Sequence, residues 1–352
     1  MKAKQKLNYN FFLCQNLKNL LNKKKLKYIC FIFSLTILIN INLLKDKIFF
    51  NRGYNIIPIA FAVNNKYSYP LIVLLTSILF NSQKKTFYKF YIMFPYNFIN
   101  NNKRKILYLS RKYHKCKIKF YNLQKKYLNW KTGYYNTQTL YYRLSLPNLI
   151  LDLDKIIYLD CDNIVHKDLT ELYNLDMKNN YYMGFPSHEI SYLVINGTRN
   201  FINSGVMLIN LKLLRKINSS ILYEEFYKEF GTKKYDEYLI NSIFFNKIKF
   251  LPFKYGIPDF IKGHKIIDSP SHFYKSLKGY SNGTEKEMIE SSINPYITHG
   301  CYTTIKWWNR NYSSLSEIGK KWIFYAFKSN IFNEICNEYK QYKIICKKMK
   351  SN

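Results

Sequence analysis

Two aspartates one residue apart close an apolar run in the stretch DKIIYLDCDNIV, residues 154–165. In extended backbone, side chains two residues apart project to the same side, about 6.6 Å apart along the chain. Asp160 and Asp162 can therefore converge on one ion, while Cys161 points the other way. Carboxylates are seldom buried without a cationic partner. Because hard divalent cations take carboxylate oxygens, often beside those of a diphosphate, the motif predicts a Mn²⁺ or Mg²⁺ site.

A second pair with the same spacing, Asp152 and Asp154, provides an internal comparison. This pair lies before the apolar run, where a loop leads into a strand, and we interpret it as structural. The run KIIYLD, residues 155–160, is continuous, β-branched and aromatic, which is typical of a buried strand in a parallel sheet. Ligands bind beyond the carboxyl ends of such strands, so Asp160 and Asp162 have the position of a binding site.

Apolar runs alternate with amphipathic stretches from residue 56 onward. The pattern predicts, in order, a strand at 56–63, a helix at 71–80 that Pro70 starts, a strand at 87–94, a basic helix at 101–113 and a strand at 116–123. Alternating strands and helices indicate parallel βαβ units. We therefore expect an α/β, Rossmann-like fold with a mostly parallel central sheet and helices on both faces.

An uncharged run at residues 28–44 follows a lysine cluster at 23–27. The run is near the lower limit of about 17 residues for a membrane span, and lysines before it favour a cytoplasmic N-terminus. We predict a signal anchor, with a cleaved signal peptide or a buried helix as alternatives, and a domain in the lumen of the endoplasmic reticulum or Golgi. The predicted segments are a basic cytoplasmic N-terminus at 1–27, the anchor at 28–44, a linker at 45–55, the main domain at 56–310 and a basic helical tail at 311–352.

The composition is strongly basic, with 55 Lys and Arg against 22 Asp and Glu and a formal net charge of +33. A basic face can bind nucleic acid, but these lysines are scattered along the chain, which favours a solvated surface and no nucleic-acid partner. Seven cysteines form no C-x-x-C pair, so neither a zinc site nor a disulfide framework is indicated. Four N-x-[ST] sequons would be glycosylation acceptors in a luminal domain; they begin at Asn196, Asn218, Asn282 and Asn311.

Six segments taken together resemble glycosyltransferase family 8, a group of retaining, metal-dependent enzymes that use nucleotide sugars. They are FAVNNKYSYPL (61–71), TLYYRLSLPNLI (139–150), DLDKIIYLDCDNIVHKDLTELYNLDM (152–177), FINSGVMLINLKLLRK (201–216), DEYLINSIFF (236–245) and THGCYTTIKWW (298–308). The resemblance covers about residues 56–310. It implies a nucleotide-diphospho-sugar transferase fold of the GT-A type.

The resemblance also implies a role for each matching side chain. The metal ligands are Asp160, Asp162 and His299; the nucleotide- and sugar-binding residues are Asn64, Tyr67, Arg143, His188 and Lys306; and the catalytic residues are Arg143, Asn203, Asp236 and Glu237. An arginine suits a place beside a diphosphate, because its guanidinium is a fixed fork of donors. Asparagine at position 64 offers both a donor and an acceptor to a uracil edge. For Asn203, a turn residue before Gly205 is the alternative interpretation.

Three features depart from the family's pattern. His188 stands where the family carries an Asp that binds sugar hydroxyls, and Glu237 stands where it carries a Gln near the anomeric carbon. The segment from His299 to Trp308 lacks the family's Gly and Pro, and Lys306 is shifted by one position. A carboxylate at position 237 is a conceivable nucleophile, although attack on the same face without a covalent intermediate is favoured.

The expected function is transfer of a hexose, glucose or galactose, from a UDP-sugar to a hydroxyl of a glycan, glycolipid or protein, with retention and with Mn²⁺ or Mg²⁺. Two alternatives stay open at this point. A catalytically silent member would bind UDP-sugars or glycans without turnover. A nucleic-acid-binding protein would explain the charge, but it needs neither the paired aspartates nor a membrane anchor.

Overall fold

The computed structural model describes residues 53–132, 137–186, 201–230, 235–259, 270–277, 283–300, 306 and 317–338. The chain divides into two compact units, Met1–Asn55 and Ile56–Asn352. The predicted anchor at 28–44 lies outside the described residues and stays a prediction. Within the described ranges, no helix combines the length and the apolar character that a membrane crossing needs.

Ten strands and eleven α-helices are described. The strands are β1 Asn55–Ala62, β2 Thr86–Phe94, β3 Cys116–Asn122, β4 Lys155–Leu159, β5 Asn163–Val165, β6 Tyr182–Pro186, β7 Ile202–Asn210, β8 Ile248–Phe250, β9 Tyr255–Pro258 and β10 Ile297–His299. The α-helices are α1 Ser68–Phe80, α2 Asn100–Tyr113, α3 Leu146–Leu149, α4 Thr170–Tyr173, α5 Leu211–Lys216, α6 Ser219–Phe230, α7 Asp236–Phe244, α8 Pro270–Ser276, α9 Glu285–Ile293, α10 Glu317–Lys328 and α11 Phe332–Glu338. Three 3-10 helices cover Asn65–Tyr67, Gln138–Ser145 and Phe245–Lys247.

The predicted elements before the aspartate motif are all present, with small shifts at their ends. Helix α1 begins at Ser68, so Pro70 lies inside its first turn instead of before it. A proline is tolerated there because the first N–H groups of a helix have no acceptor within the helix. Strand β4 ends at Leu159, which leaves Asp160 as the first residue beyond it.

The central sheet has seven strands in the order β3-β2-β1-β4-β7-β6-β8. Strand β1 runs parallel to β4, β2 parallel to β3, and β6 parallel to β8. Strand β7 is the exception, because it is antiparallel to both of its neighbours, β4 and β6. The prediction of a mostly parallel sheet is confirmed, and the reversed direction of β7 brings Val206, in the middle of β7, beside Leu159 at the end of β4.

Alternation along the central strands divides the core into two layers. Ile59 of β1 belongs to the cluster that contains α1, whereas its neighbour Ala60 belongs to a second cluster with Leu211 of α5 and Leu239 of α7. Each face of the sheet therefore buries its own set of helices, as sequence alternation predicts for a strand covered on both sides.

Helices α10 and α11 belong to the same core as α1. Trp322 of α10 and Ile335 of α11 are buried members of the α1 cluster. The amide of Asn81, just after α1, donates to the hydroxyl of Tyr325 at 2.8 Å. The hydrophobic core therefore continues beyond the boundary at residue 310 that the sequence suggested.

A smaller sheet has the strand order β5-β10-β9, and its strand β5 begins directly after the aspartate motif. Strand β10 is antiparallel to β5, and their register pairs His299 with Asn163. It also runs parallel to β9. Because Asn163 directly follows Asp162, this register brings a distant histidine beside the second aspartate.

Candidate active site

Three chain segments meet beyond the end of β4. Strand β1 is parallel to β4, so the residues that follow both strands lie at one edge of the sheet. Strand β7 runs the other way and pairs Val206 with Leu159 at the same edge. Backbone hydrogen bonds close the arrangement, since the N–H of Asp160 donates to the carbonyl of Gly205 at 2.8 Å and the N–H of Gly300 donates to the carbonyl of Asp162 at 2.8 Å.

The turn that carries the two aspartates is held from within and from β7. The side-chain amide of Asn163 donates to the carbonyl of Asp160 at 2.7 Å and to that of Gly205 at 3.0 Å. Cys161 points away from the aspartates, because its Sγ approaches the carbonyl of Ala62 at 3.4 Å and its side chain belongs to the core. The opposite orientation of the cysteine is as expected, although Cys161 and Asp162 lie in a turn beyond β4 and not in the extended backbone that the prediction assumed.

Asp160, Asp162 and His299 form a cluster with the composition of a metal site. One ligand atom from each lies within 4.8 Å of the other two, and His299 Nε2 is 3.3 Å from Asp162 Oδ1. Burial alone would raise the pKa of Asp162, but Lys306 and His299 lower that pKa well below its usual range, so the carboxylate is ionised. Two carboxylates and one imidazole fit Mn²⁺, which accepts both oxygen and nitrogen ligands.

Gly205 makes room for the imidazole ring of His299. A Cβ at position 205 would stand 2.0 Å from Cε1 and 2.4 Å from Nε2 of His299, much closer than atoms can approach. Sequence reasoning treated this glycine only as part of a turn. Its contact with a residue of another sheet has no signal in the local sequence.

Replacing Gly205 by alanine should displace the His299 ring and weaken the metal site. We expect Mn²⁺ affinity to fall about 10–100-fold, the loss usual when a group that orients a metal ligand is changed. Calorimetric titration with Mn²⁺ measures this change in affinity. Gly53→Ala is the control for adding a methyl group elsewhere: it meets nothing within 4 Å, although the φ of +69° at Gly53 means that a side chain there strains the backbone. Equal affinity in the wild type and Gly205→Ala would contradict the role of Gly205 in placing the His299 ring.

Arg143 is buried next to Asp160 and connects the aspartate motif to α7. Its Nη2 donates to Asp160 Oδ1 at 2.8 Å, its Nε is 3.0 Å from Asp236 Oδ2, and its Nη1 donates to the carbonyl of Ser204. Only 5% of the side chain is exposed. Burial alone would lower the pKa of Arg143, but the two carboxylates raise it, so the guanidinium stays charged. The structure thus gives Arg143 a positioning role within the protein.

Tyr158 is a site residue that sequence reasoning missed. Its hydroxyl donates to Asp160 Oδ1 at 3.0 Å, and its ring lies under the guanidinium of Arg143 at 4.3 Å. Both hydrogen bonds to Asp160 therefore go to Oδ1, which makes Oδ2 the natural ligand atom for an ion. A signal was available, because Tyr158 and Asp160 are two residues apart in the strand predicted at 155–160 and therefore share a side.

The N-terminus of α7 brings Asp236 and Glu237 to the same place. Asn241 docks the helix on β7, because its side chain exchanges hydrogen bonds with both backbone groups of Ile202, at 2.8 and 2.9 Å. Glu237 Oε2 accepts from Asn203 Nδ2 at 3.1 Å and from the N–H of Ser204 at 2.9 Å. The structure therefore brings the proposed catalytic carboxylates within reach of β7.

Asn203 and Asp236 are also committed to contacts inside the protein. Asn203 lies in β7 and its Oδ1 accepts the N–H of Gly205 at 2.9 Å, so this asparagine supports the first part of the strand as well as holding Glu237. Asp236 is buried, and the burial raises its pKa although Arg143 acts in the opposite direction. The pair of Asp236 with Arg143 is an ion pair by distance, while the Nε hydrogen is directed to the carbonyl of Leu140 at 3.0 Å.

Two residues assigned to the nucleotide, Asn64 and Tyr67, follow the end of β1. Asn64 Oδ1 accepts the N–H of Tyr67 at 3.1 Å, and its amide donates to Thr137 at 3.2 Å, so Asn64 caps the 3-10 helix at Asn65–Tyr67. Burial, followed by the Asp162 carboxylate, raises the pKa of Tyr67, while Lys306 lowers it. Tyr67 is thus a neighbour of the predicted metal site.

Of the two other residues predicted to bind the nucleotide sugar, the structure places Lys306 but does not describe His188. Lys306 Nζ lies 2.6 Å from Asp162 Oδ2, directly on the metal cluster. His188 lies outside the described residues.

The second aspartate pair, Asp152 and Asp154, differs from the motif. Asp154 is 72% exposed and forms a surface ion pair with Lys212 at 3.3 Å. The structural interpretation of that pair fits its geometry.

A mostly parallel sheet with two aspartates beyond its fourth strand, and a histidine supplied by a second sheet, fits a fold of the GT-A type. The family model "Glycosyl transferase family 8" matches residues 58–311. The chain belongs to glycosyltransferase family 8, and the resemblance found in its sequence is confirmed.

Solved structures of similar fold come from the same kind of enzyme. The galactosyltransferase LgtC in complex with donor and acceptor sugar analogues is 18% identical, with a TM-score of 0.64, over 78% of this chain and 96% of that one. The bifunctional glycosyltransferase WbbM is 17% identical, with a TM-score of 0.62, over 80% and 51%. The glycosyltransferase GlyE of Streptococcus pneumoniae TIGR4 is 20% identical, with a TM-score of 0.54, over 82% and 64%. No curated protein matches the chain.

Proposed function

We propose that the protein transfers a hexose from a UDP-sugar to an acceptor hydroxyl with retention of configuration, using a divalent cation. The observation that carries the proposal is the Asp160–Asp162–His299 cluster, located beyond β4 in a family 8 fold. The solved complex of LgtC with donor and acceptor sugar analogues supports a nucleotide-sugar donor and a sugar acceptor for this fold. A glycan, a glycolipid or a protein supplies such a hydroxyl.

The chain's own residues divide the work around the diphosphate. Asp160 Oδ2, Asp162 and His299 would hold Mn²⁺ or Mg²⁺, which supplies neutralisation of the anionic UDP leaving group when bound. Lys306 adds a second positive charge beside the cluster. Arg143 and Tyr158 hold the carboxylate of Asp160 in place through hydrogen bonds to its Oδ1. Fixed charges of this kind stabilise the charge that develops on the leaving group, which is usually a large contribution to catalysis.

We favour attack on the same face of the sugar over a covalent intermediate on Glu237, because one oxygen of this carboxylate is already engaged by hydrogen bonds. Its Oε2 accepts hydrogen bonds from Asn203 and from the N–H of Ser204. A carboxylate oxygen that already accepts two hydrogen bonds is a weaker nucleophile. In the proposed step the acceptor oxygen bonds to the anomeric carbon, the bond from that carbon to the phosphate oxygen breaks, and the acceptor proton passes to the departing phosphate.

Binding of UDP with Mn²⁺ should stabilise the folded protein. A ligand that binds only the native state stabilises it by about 2.7 kcal/mol when its concentration is one hundred times its dissociation constant. We expect a higher melting temperature with UDP and Mn²⁺, most of which a chelator removes, and slow UDP release with UDP-glucose or UDP-galactose. Melting curves and a UDP-release assay measure both.

The same experiment separates the enzyme from a silent relative. A stabilising effect of UDP with no UDP release from any sugar donor would indicate a binding protein without turnover. A folded sample with no response to UDP and Mn²⁺ would overturn the nucleotide-sugar proposal. Inorganic phosphate with Mn²⁺ is the control, because it offers anionic oxygens but no base for Asn64 and Tyr67.

A further inference from the structure

The ammonium of Lys306 donates a hydrogen bond to one of the two carboxylate oxygens of Asp162, a residue of the candidate metal cluster. Its Nζ is 2.6 Å from Asp162 Oδ2 and 2.5 Å from the carbonyl of Gly300. The other oxygen, Oδ1, faces His299 Nε2 at 3.3 Å. Both oxygens of Asp162 therefore have partners within the protein.

The surroundings make an unpaired Asp162 carboxylate costly. The side chains are largely shielded from water, with 21% of Lys306, 12% of Asp162 and 5% of His299 exposed. A charge interaction is stronger where water is excluded, and a buried carboxylate without a cation is costly. The ammonium thus supplies the positive charge that Asp162 needs when no ion is bound.

A divalent cation and Lys306 cannot use Asp162 independently. The cation needs an Asp162 oxygen and His299 Nε2, and its charge repels the ammonium across a few ångströms. The diphosphate of a nucleotide offers the ammonium another anionic partner, because phosphate oxygens accept hydrogen bonds from lysine. Binding of the nucleotide would therefore release Asp162 to the ion.

We propose that Lys306 is a displaceable internal cation, which neutralises Asp162 in the ion-free protein and moves to the diphosphate when ion and nucleotide bind. The inference rests on the proposed function, since it takes the cluster as the metal site. Its consequence is positive coupling. Mn²⁺ binds weakly alone and more tightly with UDP, and by linkage UDP binds more tightly with Mn²⁺.

The test is a Mn²⁺ titration of the full chain followed by electron paramagnetic resonance, with and without saturating UDP. Lys306→Met removes the charge and keeps the length. Without UDP, the variant should bind Mn²⁺ about tenfold more tightly than the wild type, within the range usual for coupling between sites, and UDP should raise its Mn²⁺ affinity by a smaller factor than in the wild type. Lys306→Arg keeps the charge and should behave as the wild type.

Lys212→Met is the matched control, because Lys212 pairs with Asp154 of the other aspartate pair. It should leave Mn²⁺ affinity unchanged. Equal or weaker Mn²⁺ binding by Lys306→Met without UDP would overturn the inference and leave the proposed function standing. A wild type that binds no Mn²⁺ in either condition would overturn both.

Discussion

Asp162→Asn is expected to abolish metal-dependent UDP release. The substitution keeps the shape of the side chain but removes the charge that an ion and Lys306 both require. A metal ion contributes several kcal/mol of stabilisation to a developing anion, and each 1.36 kcal/mol is a factor of ten in rate. UDP release should therefore fall at least about a hundredfold, and calorimetry should detect no Mn²⁺ binding.

Asp154→Asn is the control for that experiment. Asp154 belongs to a pair with the same spacing, but its side chain is 72% exposed and its partner is a surface lysine. An exposed ion pair contributes about 0–1 kcal/mol to stability, so this variant should keep both the metal and the activity. If Asp154→Asn lost Mn²⁺ while Asp162→Asn retained it, the assignment of the metal site would be wrong.

Arg143→Ala is expected to produce the largest loss of stability. The guanidinium is buried between Asp160 and Asp236, and Asp236 is itself buried. Removing one partner of a buried ion pair usually costs about 3–5 kcal/mol, because it leaves a charge without compensation. Urea denaturation at pH 7 measures the free energy of unfolding directly.

The pH dependence of that loss identifies its cause. Burial raises the pKa of Asp236, and Arg143 is the group that chiefly opposes the increase. Without Arg143, native Asp236 should keep its proton to a higher pH than the unfolded carboxyl group, whose pKa is about 3.9. A carboxyl group with a raised native pKa loses stability as pH rises. The deficit of Arg143→Ala should therefore be smaller at pH 5 than at pH 7.

Arg143→Lys provides the matched comparison. Lysine keeps the positive charge but cannot reach Asp160, Asp236 and the carbonyl of Ser204 together. We expect an intermediate loss of stability with little pH dependence. A deficit of Arg143→Ala below about 1 kcal/mol would be typical of an exposed ion pair and would contradict the network described here.

The sequence predicted those parts of the fold that depend on local periodicity. The strands before the aspartate motif, helix α1 and the opposite orientations of Asp160 and Cys161 all follow from alternation and apolar runs. The three residues of the candidate metal cluster and the family followed from motifs in a fixed order. The first set of features is local, so a single sequence contains it, whereas the second set came from the resemblance to a family.

Contacts between distant segments were beyond reach of that reasoning. The ion pair of Arg143 with Asp236, the packing of His299 against Gly205 and the pairing of β10 with β5 each join residues far apart in the chain. Helices α10 and α11 likewise join the core only through tertiary packing. Nothing in the periodicity of either segment specifies its partner, because pairing depends on the whole fold.

The small sheet β5-β10-β9 affects when the metal cluster forms during folding as well as where it lies. Asp162 follows a strand of the central sheet, but Lys306, 144 residues later, and His299 reach it only after β10 has paired with β5. Closing so long a loop costs entropy that only later contacts recover. The cluster should thus be among the last parts to form during folding. An ion bound there would report that the chain has folded through β10, and it would stabilise only those molecules.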